Sequence, residues 1–151
     1  MDYQEIAVKT KVEHSMLKSL MDGLQLVMSW EVTGADCSRK LSTLRFITQS
    51  FHRHLSRLLA LEQYDGYMNL VQSATAHLNR AVQGLQAEHE QFRGETSRIV
   101  QKLDRLPATD PAALHVVCEE LRALLRKIED HSRKEIDLIQ EALVRDGGGE
   151  G

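Results

Sequence analysis

His131 and Glu135 combine two metal-ligating side chains with a spacing that lets them act together. Side chains four residues apart on a helix lie on one face, one turn above the other. This pair interrupts an otherwise apolar stripe in the last helical segment, formed by Leu114, Val117, Leu121, Leu124, Ile128, Leu138 and Ala142. Burying an unpaired imidazole or carboxylate is costly, and a metal ion is one partner that would satisfy both.

Each of the other three helical segments also places one histidine on its apolar stripe: His14, His54 and His89. His14 lies about 16 residues before the first turn and His54 about 18 after it, so each is roughly 25 Å along its helix. His89 lies about 18 residues before the turn at Pro107, and His131 about 21 after it. We therefore expect four imidazoles to meet in one layer of the core, with the carboxylate of the last helix beside them.

The two halves of the chain resemble each other around these histidines. Residues 12–17 and 87–92 have similar sequences, and the separations from His14 to His54 and from His89 to His131 are 40 and 42 residues. The remaining histidines lie beside the stripes and are expected to be solvated or at the core boundary: His52, His77 and His115.

Four helical segments must position these side chains, and their apolar periodicity predicts helices over residues 3–30, 38–62, 73–106 and 111–144. Gly34 indicates that the helical pattern is interrupted by a turn at 32–36. Asp110 followed by Pro111 is typical of a helix start. Residues 64–76 fit either a loop with a short helix or the first turns of a long third helix. The glycine-rich segment 146–151 is expected to be disordered, which leaves 1–145 as the domain.

Short connections between the first and second helices, and between the third and fourth, make those pairs antiparallel neighbours. The sequence therefore predicts an all-α fold, an up-down-up-down antiparallel four-helix bundle.

Composition argues against several classes of function. The formal net charge is −3, and no stripe is basic enough to indicate nucleic-acid binding. The chain shows neither a signal-peptide pattern nor an apolar run of roughly 18 residues, so we expect a cytoplasmic protein without a membrane partner. Cys37 and Cys118 lack a C-x-x-C spacing, which favours two reduced thiols.

Across the bundle, the ordered set of ligands resembles the hemerythrin-like (HHE cation-binding) family. That family has a four-helix bundle with a non-haem diiron centre. It takes one His from helix 1, His-x-x-x-Glu from helix 2, one or two His from helix 3, and a His followed by a carboxylate from helix 4. The positions in this chain that match are His14, His54, His89, His131 and Glu135. The resemblance implies one or two iron ions and a role in binding or sensing O₂, NO or iron.

The sequence departs from the family pattern at two positions. Leu58 stands four residues after His54, where the family has a bridging carboxylate, and Arg93 stands four residues after His89, where oxygen carriers have a second histidine. Glu62 is eight residues beyond His54, about 12 Å along the helix axis, and is expected to lie too far away to replace the missing carboxylate. Lys18 and Arg93 would add positive charge to a centre that already lacks a carboxylate.

Other readings stay open at this stage. The site could hold a single metal ion, or a haem between inward histidines with Lys18, Arg57 or Arg93 near its propionates. Leu58 also favours a degenerate, metal-free bundle that acts as an interaction or regulatory module. An enzyme, such as a diiron peroxidase or an iron donor, is less favoured because no nucleophile or acid–base pair accompanies the metal ligands.

Overall fold

The computed structural model describes residues 3–64 and 76–148, which are helical apart from two connections. Helix α1 spans Tyr3–Met28, α2 Ser38–Tyr64, α3 Ala76–Arg105 and α4 Pro111–Gly148. Helices α1 and α3 each pack against both α2 and α4, so the four helices close into a ring around one core. The predicted all-α four-helix bundle is confirmed, and the described ranges contain no strand.

The two described connections end where turn chemistry predicts, at the starts of α2 and α4, whereas α1 and α3 end at Met28 and Arg105, before the predicted 30 and 106. Gly34 has a φ of 79°, a conformation that glycine adopts without steric cost. The carboxylate of Asp110 accepts a hydrogen bond of 3.0 Å from the backbone N–H of Ala113, so this residue caps α4, and Pro111 is the first helical residue.

Two segments of the predicted boundaries lie partly outside the described residues. Most of the ambiguous stretch 64–76 lies outside the described residues. Helix α4 continues to Gly148, so residues 146–148 are helical although the sequence predicts a helix that ends at 144 and a disordered segment from 146. The rest of the tail, 149–151, is also outside the described residues.

Two cationic side chains of α2 donate hydrogen bonds to backbone carbonyls at the C-terminal ends of α1 and α3. Lys40 donates hydrogen bonds to the carbonyl oxygens of Met28 and Trp30, at 2.7 and 2.9 Å. Arg45 donates to the carbonyl oxygens of Leu103 and Leu106, at 2.7 and 2.8 Å. Both cations thus satisfy carbonyls at or just beyond helix C-termini, where positive charge is favoured.

The connections themselves are joined through Cys37, whose backbone N–H and thiol both donate to the carbonyl oxygen of Ala108. Cys37 and Cys118 are buried and free. This contact holds the two connections together at one end of the bundle.

The buried faces of α3 and α4 are those the periodicity predicts, including His89, His131 and Glu135. For α2 the periodicity predicts a buried stripe of Leu44, Ile47, Phe51, His54, Leu58 and Leu61. Leu44, Phe51 and Leu58 are buried, but Ile47, His54 and Leu61 are only half-buried, so the observed face is rotated from the predicted one. The side chains that α2 buries are Leu41, Leu44, Thr48, Phe51, Leu55, Leu58, Leu59 and Glu62.

Two apolar clusters fill the core on either side of the buried polar residues. The larger one includes Leu17, Leu58, Phe92 and Ile128, and extends to the end of the bundle that carries the described connections. The smaller one consists of Ile6, Leu78, Val82, Leu85, Leu138, Ile139 and Ala142. No part of the described helices combines the length and apolar character that a bilayer-spanning segment needs.

Candidate metal centre

Five buried histidine and glutamate side chains meet between the two apolar clusters. Helix α1 supplies His14, α2 Glu62, α3 His89, and α4 both His131 and Glu135. His14 is 9% exposed and the other four are between 0 and 3% exposed. We call this set the His/Glu cluster.

On the α1 side of the cluster, a single imidazole contacts both carboxylates. His14 Nε2 lies 3.0 Å from Glu62 Oε1 and 2.9 Å from Glu135 Oε2. These three atoms form one compact donor group.

On the α3 side, two imidazoles contact the opposite oxygens of the same carboxylates. His89 Nε2 lies 3.1 Å from Glu135 Oε1, 3.5 Å from Glu62 Oε2 and 3.0 Å from His131 Nε2. His131 Nε2 also contacts Glu135 Oε1. Glu62, His89, His131 and Glu135 each offer a ligand atom within 4.8 Å of the others, which is compatible with a shared metal ion.

The two carboxylates of the cluster favour the protonated forms of His14 and His89. Burial lowers the pKa of His14, but hydrogen bonds with Glu135 and Glu62 and the charges of both carboxylates outweigh burial and raise the pKa to about 10. The same balance raises the pKa of His89 to about 9. Two protons therefore occupy positions that a cation could take.

The two carboxylates respond to this environment in opposite directions. Burial and the charge of Glu135 raise the pKa of Glu62, although the hydrogen bond from His14 and the 3.5 Å contact with His89 offset part of the effect. Burial also raises the pKa of Glu135, but hydrogen bonds from three histidines outweigh it and hold that pKa well below its usual range. Glu135 is thus the more strongly anionic of the pair.

The chemistry of the donors fits a transition-metal site. Imidazole nitrogens and carboxylate oxygens together suit iron, manganese or zinc. Glu62 Oε2 is buried and accepts no hydrogen bond from any described residue, which leaves a carboxylate oxygen free for a cation.

The nearby cations Lys18 and Arg93 are paired with surface carboxylates. Lys18 is exposed and lies 3.4 Å from Glu129 and 3.6 Å from Asp22, and Arg93 pairs with Glu90. This pairing offsets the positive charge that the sequence predicts both residues to add to the centre, although Lys18 also lines a cleft that reaches His14. With Glu62 present, two carboxylates offset half the charge of two divalent ions.

His54, a predicted ligand, lies apart from the His/Glu cluster, whereas Glu62, predicted to lie too far away, belongs to it. His54 Nε2 lies 3.9 Å from Glu13 Oε2, and its side chain is 15% exposed. The expectation that Glu62 lies too far away is wrong, since its oxygens contact His14 and approach His89.

The direction of helical side chains explains the error. Side chains tilt toward the N-terminus of their own helix, so neighbours at equal height on antiparallel helices tilt apart. His14 tilts toward the end of the bundle where α2 finishes, and its partner on α2 must start nearer that end and tilt back. Glu62 meets this condition and His54 does not. His54 is also rotated by about 80° from Glu62 around the helix.

An internal match in the sequence was the available signal for Glu62. His14 and Glu62 are 48 residues apart, and His89 and Glu135 are 46 apart. The two halves thus supply equivalent His and Glu pairs. In this alignment Leu58 occupies the place of His131, one turn before the glutamate in each case.

The outer nitrogen of His131 is held by a further carboxylate. His131 Nδ1 lies 2.5 Å from Glu88 Oε2, and Lys134 donates to the other oxygen of Glu88 at 2.9 Å. Burial raises the pKa of Glu88, but the hydrogen bonds from His131 and Lys134 outweigh it and lower that pKa. The Nδ1 atoms of His14 and His89 have no hydrogen-bond partner in the described part of the chain.

A cleft of about 370 Å³ between α1 and α4 reaches the His/Glu cluster at His14. Leu17, Met21 and Ile136 give it apolar walls, and Lys11 also lines it. We call this the α1–α4 cleft. It offers small molecules a route to the most exposed member of the cluster.

The three histidines beside the predicted stripes lie outside the His/Glu cluster wherever the structure describes their side chains. His52 is half-buried and His115 exposed, as expected, whereas the side chain of His77 lies outside the described residues. The geometry does not favour haem, because His89 Nε2 and His131 Nε2 are 3.0 Å apart and leave no slot for a porphyrin between them.

The fold and the site define a four-helix bundle with a buried His/Glu cluster of metal-binding dimensions. Searches against protein-family models, curated proteins and solved structures return no match to this chain. Its function must therefore be inferred from the cluster itself.

Proposed function

We propose that this protein is a hemerythrin-like metal-binding protein that holds two non-haem iron ions within the His/Glu cluster. The observation that supports it best is the orientation of the two buried carboxylates. Glu62 and Glu135 each turn one oxygen to His14 and the other to His89. Two carboxylates that bridge adjacent ions need this arrangement.

In this proposal the cluster divides into two subsites. His14 and one oxygen of each carboxylate would hold the first ion, which we call the His14 subsite. His89, His131 and the two remaining oxygens would hold the second, which we call the His89–His131 subsite. Iron bound there supplies open coordination positions that can take O₂ or NO.

In the resemblance to the hemerythrin-like family, Glu62 replaces His54 as the proposed α2 ligand. The family's His-x-x-x-Glu spacing in helix 2 corresponds to Leu58 and Glu62, with leucine in place of histidine. The proposed ligands are therefore His14, Glu62, His89, His131 and Glu135. His54 no longer belongs to the set.

The protein around the ions has two roles in this function. The apolar clusters above and below exclude water from the site and strengthen its electrostatic interactions. The α1–α4 cleft admits a small diatomic ligand beside His14, where the fewest protein donors meet. Binding or sensing fits this arrangement better than conversion of an organic substrate.

Metal analysis of two matched histidine variants tests the proposal. We expect about two iron ions per chain in protein loaded anaerobically with Fe²⁺, and an absorption change when NO is added. His89→Ala should lose most of the iron, because its imidazole touches both carboxylates. His54→Ala is the control and should keep the wild-type content. Wild-type protein without metal, or equal iron in both variants, would contradict the proposal.

The metal-free bundle is the second candidate, and buried Leu58 favours it. A ligand that binds only the folded state raises its stability, by about 2.7 kcal/mol at a concentration a hundred times its Kd. The iron-binding proposal therefore expects Fe²⁺ to raise the melting temperature by several degrees. An unchanged melting temperature would support the metal-free bundle instead.

A further inference from the structure

The two proposed subsites differ in their number and kind of donors. The His14 subsite has one imidazole nitrogen and two carboxylate oxygens. The His89–His131 subsite has two nitrogens and two oxygens, from residues that lie within 4.8 Å of one another. A cation at the second position would thus gain one more protein ligand.

The ligands of the His89–His131 subsite are also more constrained in position and orientation. His131 and Glu135 come from adjacent turns of α4, so their spacing is set by the helix. Glu88 holds the outer nitrogen of His131, and Lys134 in turn holds Glu88. Such a carboxylate fixes the tautomer and orientation of the imidazole and makes it a stronger ligand.

The His14 subsite lacks this support. His14 Nδ1 has no hydrogen-bond partner among the residues that the structure describes. His14 is also the most exposed member of the cluster and lines the α1–α4 cleft. An ion there has fewer ligands, a less constrained imidazole and a nearer route to solvent.

We infer that the two metal positions are unequal, with the His89–His131 subsite filled first and tightly, and the His14 subsite filled second and exchangeable through the α1–α4 cleft. Glu88 is a positioning residue that adds to this difference in donor number, acting through His131 from outside the ligand set. This inference rests on the proposed function, since it concerns the same cluster.

Unequal subsites give the protein a further capability. At limiting metal the chain would carry one ion, and a rise in free metal would add the second. The occupancy of the His14 subsite would then report metal supply, or deliver an ion to an acceptor, while the first ion stays in place.

Titration with Co²⁺, whose d–d absorption reports its ligands, tests the inference. We expect two binding steps in the wild-type protein, separated by at least about tenfold in affinity. His14→Ala should lose the weaker step and keep the tighter one.

Glu88→Gln should weaken the tighter step by about 10- to 100-fold and change the absorption of the first ion, with both ions still bound at saturation. Glu90→Gln is the matched control, because Glu90 is on the same turn of α3 but pairs with Arg93 at the surface. It should behave as wild type. The melting temperature of each metal-free variant checks that the fold is intact.

Three results would overturn the inference: a single step for two equal ions, loss of the tighter step in His14→Ala, or an unchanged first step in Glu88→Gln. Each of these leaves metal binding itself in place. Failure of the wild-type protein to bind any metal would instead defeat the proposed function.

Discussion

Among single residues, Glu62 has the largest effect on the composition of the site. It converts a site with one carboxylate into one with two, each shared between His14 and His89. In the proposed site, this sharing would let four oxygens serve two cations and offset half of their charge in a low-dielectric core.

The protonation of His14 leads to a prediction for the metal-free protein. A histidine whose pKa rises from 6.5 to about 10 on folding contributes stability that is fully present below pH 6.5 and is lost as the pH rises through about 10. We therefore expect the melting temperature of the metal-free protein to fall between about pH 7 and pH 10.

Metal binding must displace this proton, so loaded protein should lack that loss of stability. His115→Gln, at an exposed position, is the control and should leave the pH profile unchanged. A metal-free melting temperature that stays level or rises over the same range would contradict the protonation of His14 and His89 in the folded protein.

Among the helices, α3 and α4 could be predicted almost completely from sequence, because their buried positions recur every three or four residues without a competing pattern. In α2 two overlapping apolar stripes compete. Ile47, His54 and Leu61 form one, whereas the observed face continues through Leu55 to Glu62.

The fold tolerates that ambiguity and the site does not. A rotation of α2 by a fraction of a turn leaves a four-helix bundle in place, so the architecture followed from periodicity and turn residues. The ligand set depends on which side chain reaches the centre, and comparing heights along the axes ignores the direction of side chains. The internal match of His14 and Glu62 with His89 and Glu135 carries the missing information.

The same internal match predicts a gain of function in α2. Leu58 is buried one turn before Glu62, as His131 is one turn before Glu135. Leu58→His should add an imidazole to the His14 subsite and raise its metal affinity about tenfold, which corresponds to about 1.4 kcal/mol. Competition with a chelator of known affinity measures the change.

The control for this variant is Leu59→His, at a buried neighbour about 100° away around the helix. Both substitutions place a polar ring in the core and should lower the stability of the metal-free protein. Equal affinities for the second ion in the two variants would show that Leu58 does not face the His14 subsite.

In the molecule as a whole, the His/Glu cluster is a polar layer to which each of the four helices contributes at least one side chain. The apolar clusters on either side each bury their own set of leucines, and the polar layer between them is held by contacts from every helix. Metal bound in that layer would link α1 and α2 to α3 and α4, so folding and metal binding should be coupled.

Anomalous diffraction from crystals of the metal-loaded protein tests the central claim most directly, because it counts and locates the ions. We expect two peaks roughly 3.5–4 Å apart, the separation usual in two-metal sites. Glu62 and Glu135 should bridge them, with His14 on one ion and His89 and His131 on the other. A single peak, or two peaks with Glu62 turned away from both ions, would contradict that claim.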